Sequence, residues 1–157
     1  MKSNIFTLLL LGMMLISSGS LAGDRYRGDG HMMMTPDQLN WGPVASMGEG
    51  AEIAFIEGDI SAEEPFNFRL RLQDGYEILP HKHPAYERVT VLEGTLHFAH
   101  GKTFNKDATQ RLPVGSVAIM PSGDPMFGYA EGQTIIQLHG TGPWGIEYIN
   151  PDDDPRN

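Results

Sequence analysis

Three residues near the middle of the chain have the side chains and the spacing of a metal-binding site. His81 and His83 are two positions apart, so on a β-strand both would point to the same face, because side chains alternate. Pro84 would end that strand and permit a reversal, after which Glu87 can begin the next strand and project towards the same point. Two imidazoles and one carboxylate converging from one side are typical of non-haem Fe(II) sites and also suit Mn or Zn. Three protein ligands leave positions open for water or substrate, as catalysis requires.

The glycines around these residues make the pattern far more specific than an isolated pair of histidines. The stretch Gly75-x5-His81-x-His83-x3-Glu87-x6-Gly94 resembles the first cupin motif at every defining position, and Gly115-x5-Pro121-x-Gly123 resembles the opening of the second. The resemblance covers residues 66–149 and implies an all-β fold, a double-stranded β-helix of the cupin or jelly-roll type. The segment from Leu138 to Gly145, followed by Asn150-Pro151, also resembles a group of small exported bacterial cupins.

One position departs from the cupin pattern and leaves the choice of metal open. Met126 stands where the second motif normally supplies another histidine, and Ala130 replaces the closing asparagine. A thioether is a soft ligand that suits Cu(I) far better than Mn, Fe or Zn. Three interpretations follow: His81, His83 and Glu87 hold the metal alone with an added water; the site has shifted towards copper with Met126 as a ligand; or the site has decayed. We favour the first, because those three residues are all present.

A further histidine is a candidate catalytic group. His139 lies on a late predicted strand and alternates in step with Ile135 and Gln137. If that face points into the barrel, His139 would line the pocket and move protons as an acid–base residue. The equally supported alternative is that His139 only ends the strand before the loop at residues 140–142.

The rest of the chain indicates many short strands and almost no helix. The predicted strands are 51–56, 66–72, 77–83, 87–92, 95–100, 116–120, 134–139 and 145–149, separated by glycine- and proline-containing turns. In the second of these, four apolar residues alternate with Asn67, Arg69 and Arg71. A single helical turn is expected near residues 36–39. Such a succession predicts a sandwich or a barrel.

The first 22 residues are predicted to be a secretory signal. Lys2 precedes an apolar run over residues 5–16, and small residues follow as far as Ala22. The run is short for a membrane anchor. We therefore expect a signal at 1–22, an irregular arm at 23–50 and one cupin domain at 51–157. The mature protein would work in the periplasm or outside the cell, and we expect it not to associate with a membrane once the signal is cleaved.

Composition excludes several function classes. The chain has 157 residues, a formal net charge of −9 and no cysteine. Disulfides and thiolate chemistry are therefore absent, and the negative charge argues against nucleic acid as a partner. A homodimer is a further expectation, because cupin-like barrels often bury an edge strand against a partner.

Together these features indicate a metal-dependent enzyme of oxygenase, isomerase or lyase type acting on a small polar molecule. The alternative is a non-catalytic cupin that binds a sugar or another small ligand beside a degenerate metal site. A metal-free cupin epimerase is disfavoured, because that chemistry does not need Glu87.

Overall fold

A computed structural model describes residues 25–157. Nine antiparallel strands carry almost all of its regular structure. They are β1 (Gly42–Pro43), β2 (Ala51–Glu57), β3 (Pro65–Leu72), β4 (Glu77–Lys82), β5 (Glu87–His100), β6 (Gln110–Pro113), β7 (Val117–Met120), β8 (Met126–Thr141) and β9 (Glu147–Tyr148). Three short 3₁₀ helices lie at Pro36–Gln38, Lys106–Ala108 and Pro151–Asp153. The prediction of an all-β fold is confirmed.

The long strand β8 joins the two halves of the sheet. It pairs with β3 through residues 134–141 and with β4 through residues 126–129, while β5 runs beside it for nearly its whole length. The other strands extend this frame in the order β1-β2-β3-β8-β4-β9, and β5 also pairs with β6 and β7. The sheet curls into a jelly-roll barrel with its apolar residues inside.

Alternation on β3 shows how the sequence places the core. Its four apolar residues are buried, whereas Asn67, Arg69 and Arg71 lie between them and are only partly buried. The guanidinium of Arg71 forms an ion pair with Glu52 on β2 at 2.7 Å. The period-two pattern therefore predicted both the strand and the face that enters the barrel.

The two longest strands bend where the sequence predicts a turn or a break. Residues 87–92 and 95–100 were expected to be separate strands, but β5 is continuous, with shifts of register on both sides of Glu93. Gly94 has φ +69°, and a Cβ there would lie 2.3 Å from the carbonyl oxygen of Gln133 on β8. β8 likewise begins at Met126 and passes through Gly132, at φ +71°. These glycines bend paired strands instead of reversing the chain.

The described part of the predicted arm packs onto the barrel. Tyr26 bridges to Glu57 on β2, and β1 pairs with the same strand. The phenol of Tyr148 donates a hydrogen bond to the carbonyl of Ser46 at 2.7 Å, and that of Tyr76 donates to the carbonyl of Met47. The predicted signal at 1–22 lies outside the described residues. No helix in residues 25–157 is long and apolar enough to cross a membrane.

Candidate metal centre

The structure brings the three predicted metal ligands to one cavity inside the barrel. His81 is on β4, His83 follows the end of that strand, and Glu87 is the first residue of β5. Their exposed fractions are 4%, 2% and 4%. All three line an internal cavity of about 490 Å³. The short connection between β4 and β5 therefore presents two imidazoles and a carboxylate to the same space.

The loop of the second motif supports this connection from outside. The backbone N–H of Gly123 donates to the carbonyl of His83 at 2.9 Å, and the hydroxyl of Ser122 donates to the carbonyl of Pro84 at 2.6 Å. Glu87 is directly opposite Met120 in the β5–β7 register. The second motif therefore holds in place the turn between β4 and β5, which belongs to the first motif.

Backbone carbonyls orient both histidine rings. His81 Nδ1 lies 2.7 Å from the carbonyl oxygen of Leu79, and His83 Nδ1 lies 2.6 Å from that of Gly145. A carbonyl oxygen can only accept, so each Nδ1 carries the proton and donates it. The lone pair of each neutral ring is then on Nε2, the atom left for a metal.

His83 Nε2 is a buried polar atom without a hydrogen-bond partner. Its nearest carboxylate atom, Glu87 Oε1, is 3.5 Å away, which is too far for a good hydrogen bond. The contact is also not an ion pair. Burial lowers the pKa of His83 to about 3, with a smaller contribution from His81, and burial likewise lowers the pKa of His81 to about 4. Burial raises the pKa of Glu87 to about 8. In the absence of a cation, burial therefore favours the neutral form of all three side chains.

These features fit a divalent metal ion. Two ligand atoms that each lie about 2.1 Å from a tetrahedral metal are about 3.4 Å apart, close to the separation of His83 Nε2 and Glu87 Oε1. An ion would satisfy the unpartnered Nε2 and would supply the positive charge that a buried carboxylate needs. The fit is incomplete, however, because no three His, Cys, Asp or Glu side chains in residues 25–157 are already arranged to hold an ion. The donors are therefore gathered in one cavity without forming a closed coordination shell.

Trp144 forms part of the same site. Its indole stacks on the His83 ring with 4.3 Å between centroids and 18° between planes. The next residue, Gly145, supplies the carbonyl that accepts from His83 Nδ1. The indole Nε1 is itself buried without a hydrogen-bond partner. The loop after β8 therefore fixes the plane of the His83 ring as well as its tautomer.

Met126 does not line the cavity that contains the histidines. It is directly opposite His81 in the β4–β8 register, but its side chain is buried in the hydrophobic core and lines a separate depression beside β6 and β7. The expectation that Met126 is a ligand thus receives no support from its position. The thioether acts as apolar packing material.

The structure places His139 away from the cavity, so its position gives no support to the prediction that it is a catalytic residue. Thr134, Ile136 and Leu138 are the buried residues at this end of β8, so His139 and Gln137 belong to the opposite face. His139 is exposed and lies outside the cavity. Its backbone is opposite Asn67 on β3 and Arg88 on β5. Ile136 and Leu138, at even positions, are the residues of the sequence that indicate the interior face of this strand.

Two cavity-lining groups were missed because they come from the ends of the domain. Residues 43–47 of the arm line the cavity, and so does Arg156 near the C-terminus. The guanidinium of Arg156 is held by Asp154 through Nε at 2.7 Å and Nη2 at 2.6 Å. No local pattern in the sequence connects these segments to the centre of the barrel.

Comparison with known proteins identifies the fold. No family model and no curated protein matches the sequence. Among solved structures, the chain is similar to an RmlC-like cupin from Shewanella frigidimarina NCIMB 400, with a TM-score of 0.57 and 15% identity over 73% of this chain and 94% of that one. It is also similar to the polyketide cyclase RemF from Streptomyces resistomycificus, with a TM-score of 0.64 and 16% identity over 81% and 91% of the two chains.

A third similar structure is salicylate 1,2-dioxygenase from Pseudaminobacter salicylatoxidans, with a TM-score of 0.54 and 18% identity. That match covers 66% of this chain and 32% of the larger enzyme. The chain is therefore a cupin in fold, as the two sequence motifs predicted. Neighbours with this fold include a cyclase and a dioxygenase, but at these identities the likeness establishes the fold and does not select a reaction.

Proposed function

We propose that this cupin is a metal-dependent enzyme that acts on a small molecule bound in the barrel cavity, with the metal held by His81, His83 and Glu87. The observation that carries the proposal is the unpartnered Nε2 of His83, which lies 3.5 Å from Glu87 inside a cavity large enough for a substrate. A buried nitrogen without a partner is costly, and a metal ion is the partner that suits this set of donors.

The roles of the protein groups follow from their contacts. The carbonyls of Leu79 and Gly145 keep both imidazoles in the tautomer that leaves Nε2 free. Glu87 contributes negative charge, which reduces the net charge of the occupied centre. The apolar walls exclude water from the bound substrate. A divalent ion held by these residues would supply Lewis acidity towards a substrate oxygen. The proposed metals are Fe, Mn or Zn, since the position of Met126 gives no reason to prefer Cu.

Titration of the metal-free protein with Fe(II), Mn(II) and Zn(II) by calorimetry tests the binding step. We expect one site per chain in the wild type and loss of that site in His83→Ala. The matched control is His139→Ala, which removes an exposed imidazole from the outer face and is expected to bind metal as the wild type does. Unchanged binding by His83→Ala would contradict the proposal.

A non-catalytic cupin that binds a small ligand is the second candidate. The observations favouring it are the absence of a ready three-ligand arrangement in residues 25–157 and the methionine at the usual fourth ligand position. Thermal unfolding separates the two candidates once a reaction is assigned. A catalytic centre predicts that the variant with both His81→Ala and His83→Ala keeps its fold and loses turnover. A structural metal predicts that the same variant loses the thermal stability which the metal adds.

The proposed setting is the periplasm or the extracellular space, on the basis of the signal predicted at residues 1–22. Fractionation of cells that produce the full chain, followed by determination of the N-terminus of the mature protein, tests this. A mature chain that still begins at Met1 in the cytoplasmic fraction would contradict it.

A further inference from the structure

The walls of the cavity are almost entirely apolar. Side chains from β2, β3, β5 and β8 meet there, including Phe55, Phe68, Val89, Leu96, Ile136 and Leu138. Five of these, namely Phe68, Val89, Leu96, Ile136 and Leu138, have exposed fractions of 3% or less. A volume of about 490 Å³ lies within the range of small-molecule sites. The space around the proposed centre therefore resembles a hydrophobic core that has been left unfilled.

Polar groups in the lining occur at few positions, and several of them already have partners within the protein, although the indole Nε1 of Trp144 does not. Arg156 is held by two hydrogen bonds to Asp154, with a third to the carbonyl of Ile146. The carbonyl of Ser46 accepts from Tyr148. A ligand rich in hydroxyl groups would thus lose its hydrogen bonds to water and find few replacements on these walls. Each hydrogen bond to water that is lost without replacement weakens binding of such a ligand.

An aromatic surface lies next to the proposed centre. The indole of Trp144 stacks on His83, and its ring centroid lies 5.4 Å from that of Phe68. Phe68 in turn lies 5.7 Å from Phe55. These rings form a continuous apolar wall that begins at the ligand set and extends into the cavity. A molecule bound at the centre through one end would place the rest of its body against this wall.

From this division of the cavity we infer that the ligand is a mainly apolar small molecule with a single oxygen-bearing head group, such as a monocarboxylate or an enol. The head group is directed to His81, His83 and Glu87, and the apolar body lies against Trp144 and Phe68. This inference rests on the proposed function for the placement of the head group, whereas the apolar character of the body rests on the cavity alone. It replaces the small polar molecule expected from the sequence.

Hexanoate and gluconate are a matched pair of probes for this inference. Both are six-carbon monocarboxylates, but only gluconate carries hydroxyl groups along the chain. The chain has two tryptophans, so Trp41→Phe leaves Trp144 as the sole indole reporter. Fluorescence titrations in this background, with the protein both metal-free and metal-loaded, give a Kd for each probe. We expect hexanoate to bind at least tenfold more tightly than gluconate.

A lining variant tests whether binding occurs in this cavity. Ile53 lines the cavity from β2, whereas Ile119 on β7 is 60% exposed and does not. We expect Ile53→Ser to weaken hexanoate binding severalfold and Ile119→Ser to leave it unchanged. If both variants behave alike, the probe does not occupy the cavity and the inference is overturned.

The same measurements separate the inference from the proposed function. Equal or tighter binding of gluconate, or binding of neither probe at millimolar concentration, overturns the apolar ligand class even when the protein holds metal. A hexanoate preference in a protein that takes up no metal supports the apolar ligand class and contradicts the metal centre. A hexanoate preference that becomes stronger on metal loading supports both.

Discussion

The ring of His83 stacks face to face on the indole of Trp144, with 4.3 Å between the ring centroids. Because the neighbouring Gly145 also accepts the Nδ1 proton of His83, one loop fixes both the plane and the tautomer of this imidazole. The opposite ring nitrogen is left buried and unpartnered beside Glu87. The stacked pair therefore orients the proposed ligand atom, and it links residues that are far apart in the sequence.

Replacement of Glu87 by Gln should weaken metal binding without harming the fold. The side chain is buried, and burial raises the pKa of Glu87 to about 8, so the metal-free protein at neutral pH holds mainly the neutral acid, which a neutral amide can replace. We expect metal affinity to fall at least tenfold, since even residues that only support metal ligands contribute 10–100-fold. Calorimetry measures the affinity, and thermal unfolding of the metal-free protein should show no loss of stability.

The matched control for this change is Glu131→Gln. Glu131 is exposed and forms a 2.6 Å contact with His97 outside the cavity. The Glu131→Gln variant should bind metal as the wild type does. Wild-type affinity in Glu87→Gln would show that the carboxylate is not a ligand.

Replacement of Met126 by Leu should leave the choice of metal unchanged. Met126 is packed in the core and does not line the cavity, so a side chain of similar volume replaces its contacts. The free energy of unfolding should fall by less than about 1.5 kcal/mol. Metal analysis after loading with mixed Cu, Zn, Mn and Fe checks the choice. A selective loss of copper would restore the interpretation of Met126 as a ligand.

Because β5 bends at Gly94, we expect Gly94→Ala to lower the stability of the protein more than Gly75→Ala does. Both Gly75 and Gly94 have positive φ, which costs any other residue about 1–2 kcal/mol. Nothing lies within 4 Å of a Cβ at Gly75, whereas a Cβ at Gly94 would meet the backbone oxygen of Gln133 at 2.3 Å. Denaturant unfolding should show a loss of about 1–2 kcal/mol for Gly75→Ala and a loss larger by about 1–3 kcal/mol for Gly94→Ala. Equal losses would mean that β5 does not bend here as described.

The contact between Tyr148 and Ser46 is predicted to hold the cavity-lining part of the arm in place. Tyr148→Phe removes a hydrogen bond to a backbone carbonyl, so stability should fall by about 1 kcal/mol. Amide hydrogen exchange at residues 44–47 should become faster, because this contact holds the segment over the cavity. Tyr86→Phe, at an exposed tyrosine, is the control and should change neither quantity. Unchanged exchange in Tyr148→Phe would show that other contacts hold the arm.

Much of the barrel could be predicted because its signals are local. Alternation identified β3 and its buried face, and the spacing of His81, His83 and Glu87 is short enough for one strand and one turn to bring them together. The bend at Gly94 could not be distinguished from a turn, since both need a glycine at positive φ. The position of Trp144 on His83 depends on pairing between distant strands, which no local pattern encodes.

The position of His139 outside the cavity has a specific physical cause. The face of a strand is set by the residues that are buried, and Ile136 and Leu138 fix the interior of β8 at even positions. The cavity lining also depends on contacts between residues that are far apart in the sequence. Residues 43–47 line the cavity because β1 pairs with β2 and because Tyr148 donates a hydrogen bond to Ser46. The sequence of the arm alone has no period that predicts this.

The most direct test of the metal centre is the metal content of protein purified without an affinity tag from its native compartment. Plasma mass spectrometry should find close to one Fe, Mn or Zn per chain in the wild type and in His139→Ala. It should find none in the variant with both His81→Ala and His83→Ala. The absence of metal from the wild type, with no uptake when metals are added, would contradict the central claim and leave the barrel as a site for an apolar ligand alone.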